Sequence, residues 1–311
     1  MDPHFTEFLL SPYLLGLLGL CIGSFLNVVI HRVPLMMERE WWSDISQQLG
    51  DAAAWKRVFG TSDTARPVLA QAGRTVDAAL SSLAPLSLAN PRSRCPTCGH
   101  VLAWHENIPI AGWLLLKGKC SACKTPISAR YPLVEALTGA LFAACGVKFG
   151  AQLGTLAWCA AVALLVAMAF IDLDTQLLPD SFTYTLAGVG LLSAGFGWTG
   201  VTLESAAWGI LAGYLSLWSV THLYKLVRGV EGMGQGDFKL LAGLGALMGW
   251  QVLPSIILLS SMVGALVGVG LIVFRGHGRN VPMPFGPYLA GGGIAAMFFG
   301  QQLSRALWPA F

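Results

Sequence analysis

The stretch "FLLSPYLLGLLGLCIGSFLNVVI" covers residues 8–30 and contains no charged side chain. At 1.5 Å per residue a helix of this length extends about 34 Å, which crosses the roughly 30 Å hydrocarbon core of a bilayer. A secretory signal peptide carries basic residues before its apolar run and a small-residue cleavage site after it. Here Asp2 and Glu7 precede the run, and His31 and Arg32 follow it. We therefore predict a retained transmembrane helix with its N-terminus outside.

The composition of the whole chain extends this prediction. Of its 311 residues, 55% are hydrophobic and only 11% are charged, whereas ordinary soluble domains have about 25% charged residues. So few charges do not suffice for the surface of a soluble protein. We predict an all-α polytopic membrane protein with about eight transmembrane helices. The seven further spans fall near 132–147, 152–171, 182–200, 205–224, 239–255, 256–274 and 288–308.

Lysine and arginine are distributed unevenly between the two faces of this arrangement. Residues 31–131 hold 12 of the 19, and only Lys148 and Arg305 fall on the opposite face. By the positive-inside rule, the 31–131 insert is cytoplasmic and both termini are periplasmic. We predict three parts: a first span (1–30), this insert, and a seven-span membrane domain (132–311). The net charge of +3 then reflects topology and contact with anionic membrane lipid, and predicts no nucleic-acid partner.

Two cysteine pairs lie in the insert between the first and second spans. Cys95-x2-Cys98 is followed after 21 residues by Cys120-x2-Cys123. Two such pairs complete a tetrahedral shell of four thiolates, which leaves no open position for water and is typical of a structural zinc site. A cytoplasmic location disfavours the alternative of disulfides. The rest of the insert, residues 38–94, receives no functional assignment from its sequence.

Two cytoplasmic loops of the membrane domain, 170–183 and 232–239, contain most of its acidic residues. Acidic side chains at a membrane are energetically costly, so function is their default interpretation. For Asp174, beside a water-exposed face, the sequence favours an interfacial position. Asp180 follows a proline and precedes a serine, where we expect a helix N-cap.

Asp172 and Asp237 lack such simple explanations. Asp172 ends a long apolar run, and Asp237 follows Gly234 and Gly236, whose missing side chains let another backbone approach closely. Two carboxyl groups that face one another do not both ionise easily, which provides a general acid and a general base at one site. Such a pair activates water for amide hydrolysis without a metal.

Together these motifs resemble those of the type IV prepilin peptidases, the leader peptidases and N-methyltransferases of type IV pilus and type II secretion systems. The resemblance extends over nearly the whole chain. Besides the cysteine pairs, the matching motifs are "GSFLNVVIHRVP" (23–34), "RYPLVE" (130–135), "IDLDTQLLPD" (171–180), "GMGQGDFKLL" (232–241) and "PFGPYL" (284–289).

The resemblance implies an aspartic protease of the G-x-G-D type in the bacterial inner membrane. Its catalytic residues would be Asp237 and Asp172, with Asp174 as the rival for the second role, and Lys239 belongs to the same motif. The family cleaves type IV prepilins and pseudopilins after a leader glycine on the cytoplasmic side. It then methylates the new N-terminal residue with S-adenosylmethionine. Gly118 and Glu135 are candidates for binding that cofactor. Alternatively, Gly118 forms the turn before Cys120, and Glu135 caps the second span.

Other functional classes compete with this interpretation. An ion-coupled membrane transporter also uses paired carboxylates, although the chain shows no internal repeat. A zinc metalloprotease needs an open zinc site and a base, and "WHEN" (104–107) supplies only a fragment of that motif. In a non-enzymatic assembly subunit, the two acidic loops would be coincidental.

Overall fold

The computed structural model describes residues 3–60, 66–230, 232–275 and 283–307, and all regular elements within these ranges are helices. Twelve α-helices are described, together with short 3₁₀ turns at Trp104–Asn107 and Trp250–Val252. The α-helices are α1 (Pro3–Leu9), α2 (Pro12–Gly50), α3 (Ala52–Phe59), α4 (Arg66–Ser81), α5 (Ala111–Leu115), α6 (Arg130–Phe149), α7 (Leu153–Thr175), α8 (Asp180–Gly195), α9 (Leu203–Arg228), α10 (Gln235–Met248), α11 (Leu253–Arg275) and α12 (Gly286–Leu307). The predicted all-α class is confirmed.

Each predicted span corresponds to a helix, but several boundaries differ. The first helix continues from the apolar run through Pro34 to Gly50, so that α2 is 39 residues long. The sixth span ends at Gly249, whose φ of 83° terminates α10 before the predicted boundary at residue 255. Among the described residues, four helical stretches are long and apolar enough to cross a membrane: Pro12–Gly50, Arg130–Phe149, Leu153–Thr175 and Trp250–Phe274. The membrane class is thus supported, and the count of eight spans stays a prediction.

The chain divides into two compact units, and residues 31–102 form the smaller one. Within it, the buried guanidinium of Arg32 donates hydrogen bonds of 2.6–3.2 Å to the carbonyl groups of Ser87, Leu88 and Pro91. These bonds fasten residues 87–91 to α2, which contains Arg32. Asp51 caps α3 by accepting from two backbone amides, and these donors lower the pKa of its carboxyl group. A buried cation and a helix cap thus contribute to the order of this unit.

The larger unit comprises residues 1–30 and 103–311. Its innermost element is α10, which is buried along nearly its whole length and packs against α8 and α9. Glycines permit this packing: a Cβ atom on Gly209 of α9 would collide with the backbone of Gly245 of α10. With 14 residues, α10 is about 21 Å long, and after Lys239 it is apolar on all sides, which suits a helix enclosed by other helices.

Candidate active site

Asp172 lies in the last turn of α7 and is only 5% exposed. Its backbone carbonyl accepts from Gln176, which adopts a left-handed conformation and ends the helix. The carboxylate Oδ2 atom accepts a hydrogen bond of 2.9 Å from the backbone amide of Gly286, the first residue of α12. The sequence assigned no role to Gly286, because a backbone donor leaves no side-chain signature. The carboxylate of Asp172 is thus held where α7 and α12 pack together.

Asp237 is the third residue of α10 and is 7% exposed. Gly234 provides the N-cap of this helix, so the G-x-G-D motif coincides with a helix start. The Oδ1 atom of Asp237 is buried and has no hydrogen-bond partner within the described part of the chain. The carboxyl group is close enough to Asp172 for the two charges to repel one another. The structure therefore buries both predicted aspartates and places them within electrostatic reach of one another.

The two glycines of the motif differ in their surroundings. A Cβ atom on Gly234 would meet nothing within 4 Å. A Cβ atom on Gly236 would lie 2.6 Å from the Cβ atom of Leu178, in the loop between α7 and α8. The close approach of another backbone that was predicted at these glycines is not seen: the nearest neighbour of Gly236 is the Leu178 side chain, and Gly234 has none within 4 Å.

Asp174 binds the guanidinium of Arg130 instead of facing Asp237. Its two carboxylate oxygens accept from Nη1 and Nη2 at 2.7 and 2.8 Å. Nη2 also donates to the carbonyl of Phe170 at 3.2 Å, and the guanidinium lies 4.9 Å from the centre of the Phe170 ring. This pair joins the first residue of α6 to the last turn of α7. Arg130 lies in the motif "RYPLVE" (130–135), but no sequence pattern predicts Asp174 as its partner.

Asp180 is likewise paired with a cation. Its Oδ1 atom lies 2.6 Å from the Lys239 ammonium, which also stands 5.5 Å from the centre of the Tyr184 ring. The predicted N-cap role is wrong, because Pro179 occupies that position and Asp180 is the first helical residue. Lys239 follows Asp237 by two residues, so the pair connects the start of α8 to the start of α10.

The four cysteines form one cluster. Their sulfur atoms all lie within 4.8 Å of one another. Each pair sits in a tight turn of the same design: the amide of Cys95 donates to the carbonyl of His100, and the amide of Cys120 donates to that of Thr125, both at 2.9 Å. Four sulfur donors at this separation fit a tetrahedral metal ion, and thiolates favour zinc among the common divalent ions.

Gly118 and Glu135 both serve the local fold between the cluster and α6. Gly118 has a φ of 66°, and a Cβ atom there would lie 2.8 Å from the indole of Trp113, so the turn before Cys120 requires a glycine. Glu135, which is 8% exposed, accepts the backbone amide of Ile110 on Oε2 at 2.7 Å. The alternative of a cap is wrong for Glu135, because α6 begins five residues earlier at Arg130.

Comparison with known protein families adds an independent observation. The model of the bacterial peptidase A24 N-terminal domain matches residues 17–149. The model of the type IV leader peptidase family matches residues 159–269. The first match contains the cysteine cluster, and the second contains Asp172 and Asp237.

Curated relatives match over nearly their whole length. Proteins named prepilin leader peptidase/N-methyltransferase from Aeromonas hydrophila and Aeromonas salmonicida (strain A449) are each 47% identical, over 94% of this chain and 92% of the relative. A protein of the same name from Stutzerimonas stutzeri is 46% identical, over 93% of this chain and 91% of the relative. No solved structure matches the chain.

Proposed function

Because the chain belongs to the type IV leader peptidase family, we propose that it removes the leader peptides of type IV prepilins and pseudopilins and N-methylates the shortened products. The observation that carries this proposal is the pairing of two buried carboxyl groups, Asp172 and Asp237, in a chain 47% identical to a curated leader peptidase/N-methyltransferase. Cleavage after a leader glycine and methylation of the residue that follows it are part of the same proposal.

The proposed chemistry at the aspartate pair is amide hydrolysis by activated water. One carboxylate removes a proton from water while the water oxygen bonds to the carbonyl carbon of the scissile amide, and the other carboxyl group donates a proton to the carbonyl oxygen. The carbon–nitrogen bond then breaks, the amine leaves with a proton, and the carbonyl is restored. The other acids near the site are less suited to this task, because Asp174 and Asp180 already bind Arg130 and Lys239.

For the second activity we propose S-adenosylmethionine as the methyl donor, in keeping with the N-methyltransferase in the relatives' names. When bound, it supplies an electrophilic methyl group to the new N-terminal amine. We propose no role in methyl transfer for Gly118 or Glu135. Gly118 fills a turn against Trp113, and the Glu135 carboxylate binds the amide of Ile110.

We also propose that the cysteine cluster binds zinc for structural reasons. Cys95, Cys98, Cys120 and Cys123 supply four ligands, which complete a tetrahedral shell. A closed shell of this kind holds no reactive water, so the ion stabilises the fold around the cluster and takes no part in hydrolysis.

The proposed location is the bacterial inner membrane. Four helices apolar enough to cross a bilayer support a membrane protein, and the excess of lysine and arginine in residues 31–131 supports a cytoplasmic insert with periplasmic termini. Prepilin substrates share this membrane, where the lipid surrounds both proteins, and no nucleic-acid partner is proposed.

A cleavage assay with detergent-purified protein and a prepilin tests the function. Asp172→Asn and Asp237→Asn are each expected to lower kcat by about 100- to 10,000-fold, because neither carboxyl group works without the other. The exposed Asp77 of α4 offers a matched control, and Asp77→Asn is expected to cleave normally. Labelled S-adenosylmethionine in the same assay follows methyl transfer. Normal cleavage by Asp237→Asn would refute the proposed role of the pair.

A further inference from the structure

We infer that the backbone amide of Gly286 positions Asp172 as the general base of the aspartate pair, with Asp237 as the member that carries the proton. This inference rests on the proposed peptidase function and assigns different roles to the two carboxyl groups. It makes Gly286 a positioning residue, which acts through Asp172 and not on the substrate itself.

The first observation is the bond between Gly286 and Asp172. Amides in the first turn of a helix have no acceptor within that helix, and the amide of Gly286 at the start of α12 donates to Oδ2 of Asp172 at 2.9 Å. The bond is buried and joins residues 114 positions apart. A donated hydrogen bond stabilises a carboxylate relative to its neutral form. Asp172 is therefore the member of the pair that is prepared to be ionised.

The second observation is the contrasting environment of Asp237. Its Oδ1 atom is buried and has no hydrogen-bond partner in the ranges that the structure describes. A buried carboxylate oxygen without a donor makes the ionised form costly, and the charge of Asp172 acts against a second negative charge. Helix dipoles do not carry this assignment: the last turn of α7 and the first turn of α12 act in opposite directions on a charge at Asp172, and the first turn of α10 favours a charge at Asp237. The direct bond from Gly286 separates the two residues.

The third observation is the lack of space for a side chain at position 286. A Cβ atom there would lie 2.7 Å from Oδ2 and 3.1 Å from Cγ of Asp172. The backbone of Gly286 does not adopt the left-handed conformation that favours glycine, so an alanine would fit its dihedral angles. The three atoms nearest to such a Cβ atom all belong to the Asp172 side chain, so a larger residue at this position would displace that carboxylate.

The assignment gives each proton a defined path. Asp172 takes a proton from the attacking water, and Asp237 gives its proton to the carbonyl oxygen of the scissile amide. When the tetrahedral intermediate breaks down, Asp172 passes its proton to the leaving amine, and Asp237 recovers its own from the hydroxyl group. Both aspartates end in their starting states, and water has been added across the carbon–nitrogen bond.

Gly286→Ala tests the inference, with Gly291→Ala as the matched control on the same helix. A Cβ atom on Gly291 would meet nothing within 4 Å, so that variant is expected to behave as wild type. Gly286→Ala is expected to lower kcat for prepilin cleavage by at least about 100-fold. Its KM and its methyl transfer to a pilin already cut are expected to stay within about twofold of wild type.

Gly286→Pro removes the donor as well as filling the space beside Asp172. Proline is well tolerated at the first position of a helix, but it has no N–H group and it adds a Cβ atom as alanine does, so this variant is expected to lose at least as much kcat as Gly286→Ala while retaining methyl transfer. Wild-type cleavage by either variant would overturn the inference, and so would an equal loss in Gly291→Ala or a parallel loss of methyl transfer. If the unmodified protein fails to cleave prepilin, the proposed function itself is refuted.

Discussion

Arg130 and Asp174 form a bidentate ion pair, with Nη1–Oδ1 and Nη2–Oδ2 distances of 2.7 and 2.8 Å. The pair fastens the start of α6 to the end of α7, two residues beyond Asp172. Nη2 of Arg130 also donates to the carbonyl of Phe170 at 3.2 Å, two residues before Asp172. The position of Asp172 therefore depends on an interaction outside the aspartate pair.

We predict that Arg130→Ala and Asp174→Ala each lower kcat for cleavage about tenfold, because loosening the last turn of α7 misplaces Asp172. Both side chains are more than one third exposed, so the expected loss of stability is at most about 1 kcal/mol. Arg130→Lys keeps the charge but loses the bidentate geometry of the guanidinium, and its kcat should lie between those of wild type and Arg130→Ala. Steady-state kinetics check the effect.

The double variant supplies the control for this pair. If Arg130 and Asp174 act as one unit, replacing both by alanine should lower kcat no further than replacing one. Effects that multiply in the double variant, or a catalytic loss as deep as that of Asp172→Asn, would contradict a positioning role.

The limits of sequence reasoning are visible around this pair. Apolar runs located the membrane helices, and the two acidic loops led to Asp172 and Asp237, because both signals are carried by side chains. The bonds of Arg130 and Gly286 to residues 44 and 114 positions away arise from tertiary packing, which has no local pattern. The extension of α2 to Gly50 was not predicted, because the apolar run ends at Ile30 and the residues that follow are more polar and include Pro34.

The cysteine cluster predicts one zinc ion per chain. Because four thiolates share the ion, Cys98→Ser or Cys123→Ser should lower the zinc content of the purified protein to about one tenth or less, since a serine hydroxyl is a poor replacement ligand. Elemental analysis by mass spectrometry measures this content. Cys21, which is exposed and outside the cluster, provides the control, and Cys21→Ser should retain the ion.

A chelator distinguishes a structural ion from a catalytic one. We expect the loss of zinc and the loss of thermal stability to follow the same time course, with cleavage declining only as the fold is lost. Immediate inhibition of cleavage by an intact, folded protein would mean that the ion participates in hydrolysis.

The Glu135 carboxylate predicts a difference between two substitutions. Glu135→Ala leaves the amide of Ile110 without its acceptor, and we expect the free energy of unfolding to fall by about 1–3 kcal/mol. Glu135→Gln retains an oxygen acceptor and should come close to wild-type stability and methyl transfer. Thermal unfolding and methyl-transfer assays test this. Selective loss of methyl transfer in Glu135→Gln, with stability intact, would instead indicate that the negative charge of Glu135 takes part in binding the methyl donor.

The close packing of α9 on α10 predicts that activity depends on a glycine with no chemical role. A Cβ atom on Gly209 would collide with the carbonyl of Gly245, so Gly209→Ala should force the two helices apart at a cost of about 1–3 kcal/mol. Because α10 carries Asp237 in its first turn, the displacement should also lower cleavage. Gly188 of α8 has open space around its missing side chain, so Gly188→Ala should retain wild-type unfolding temperature and kcat. Equal behaviour of the two variants would show that α10 tolerates displacement and that its burial does not position Asp237.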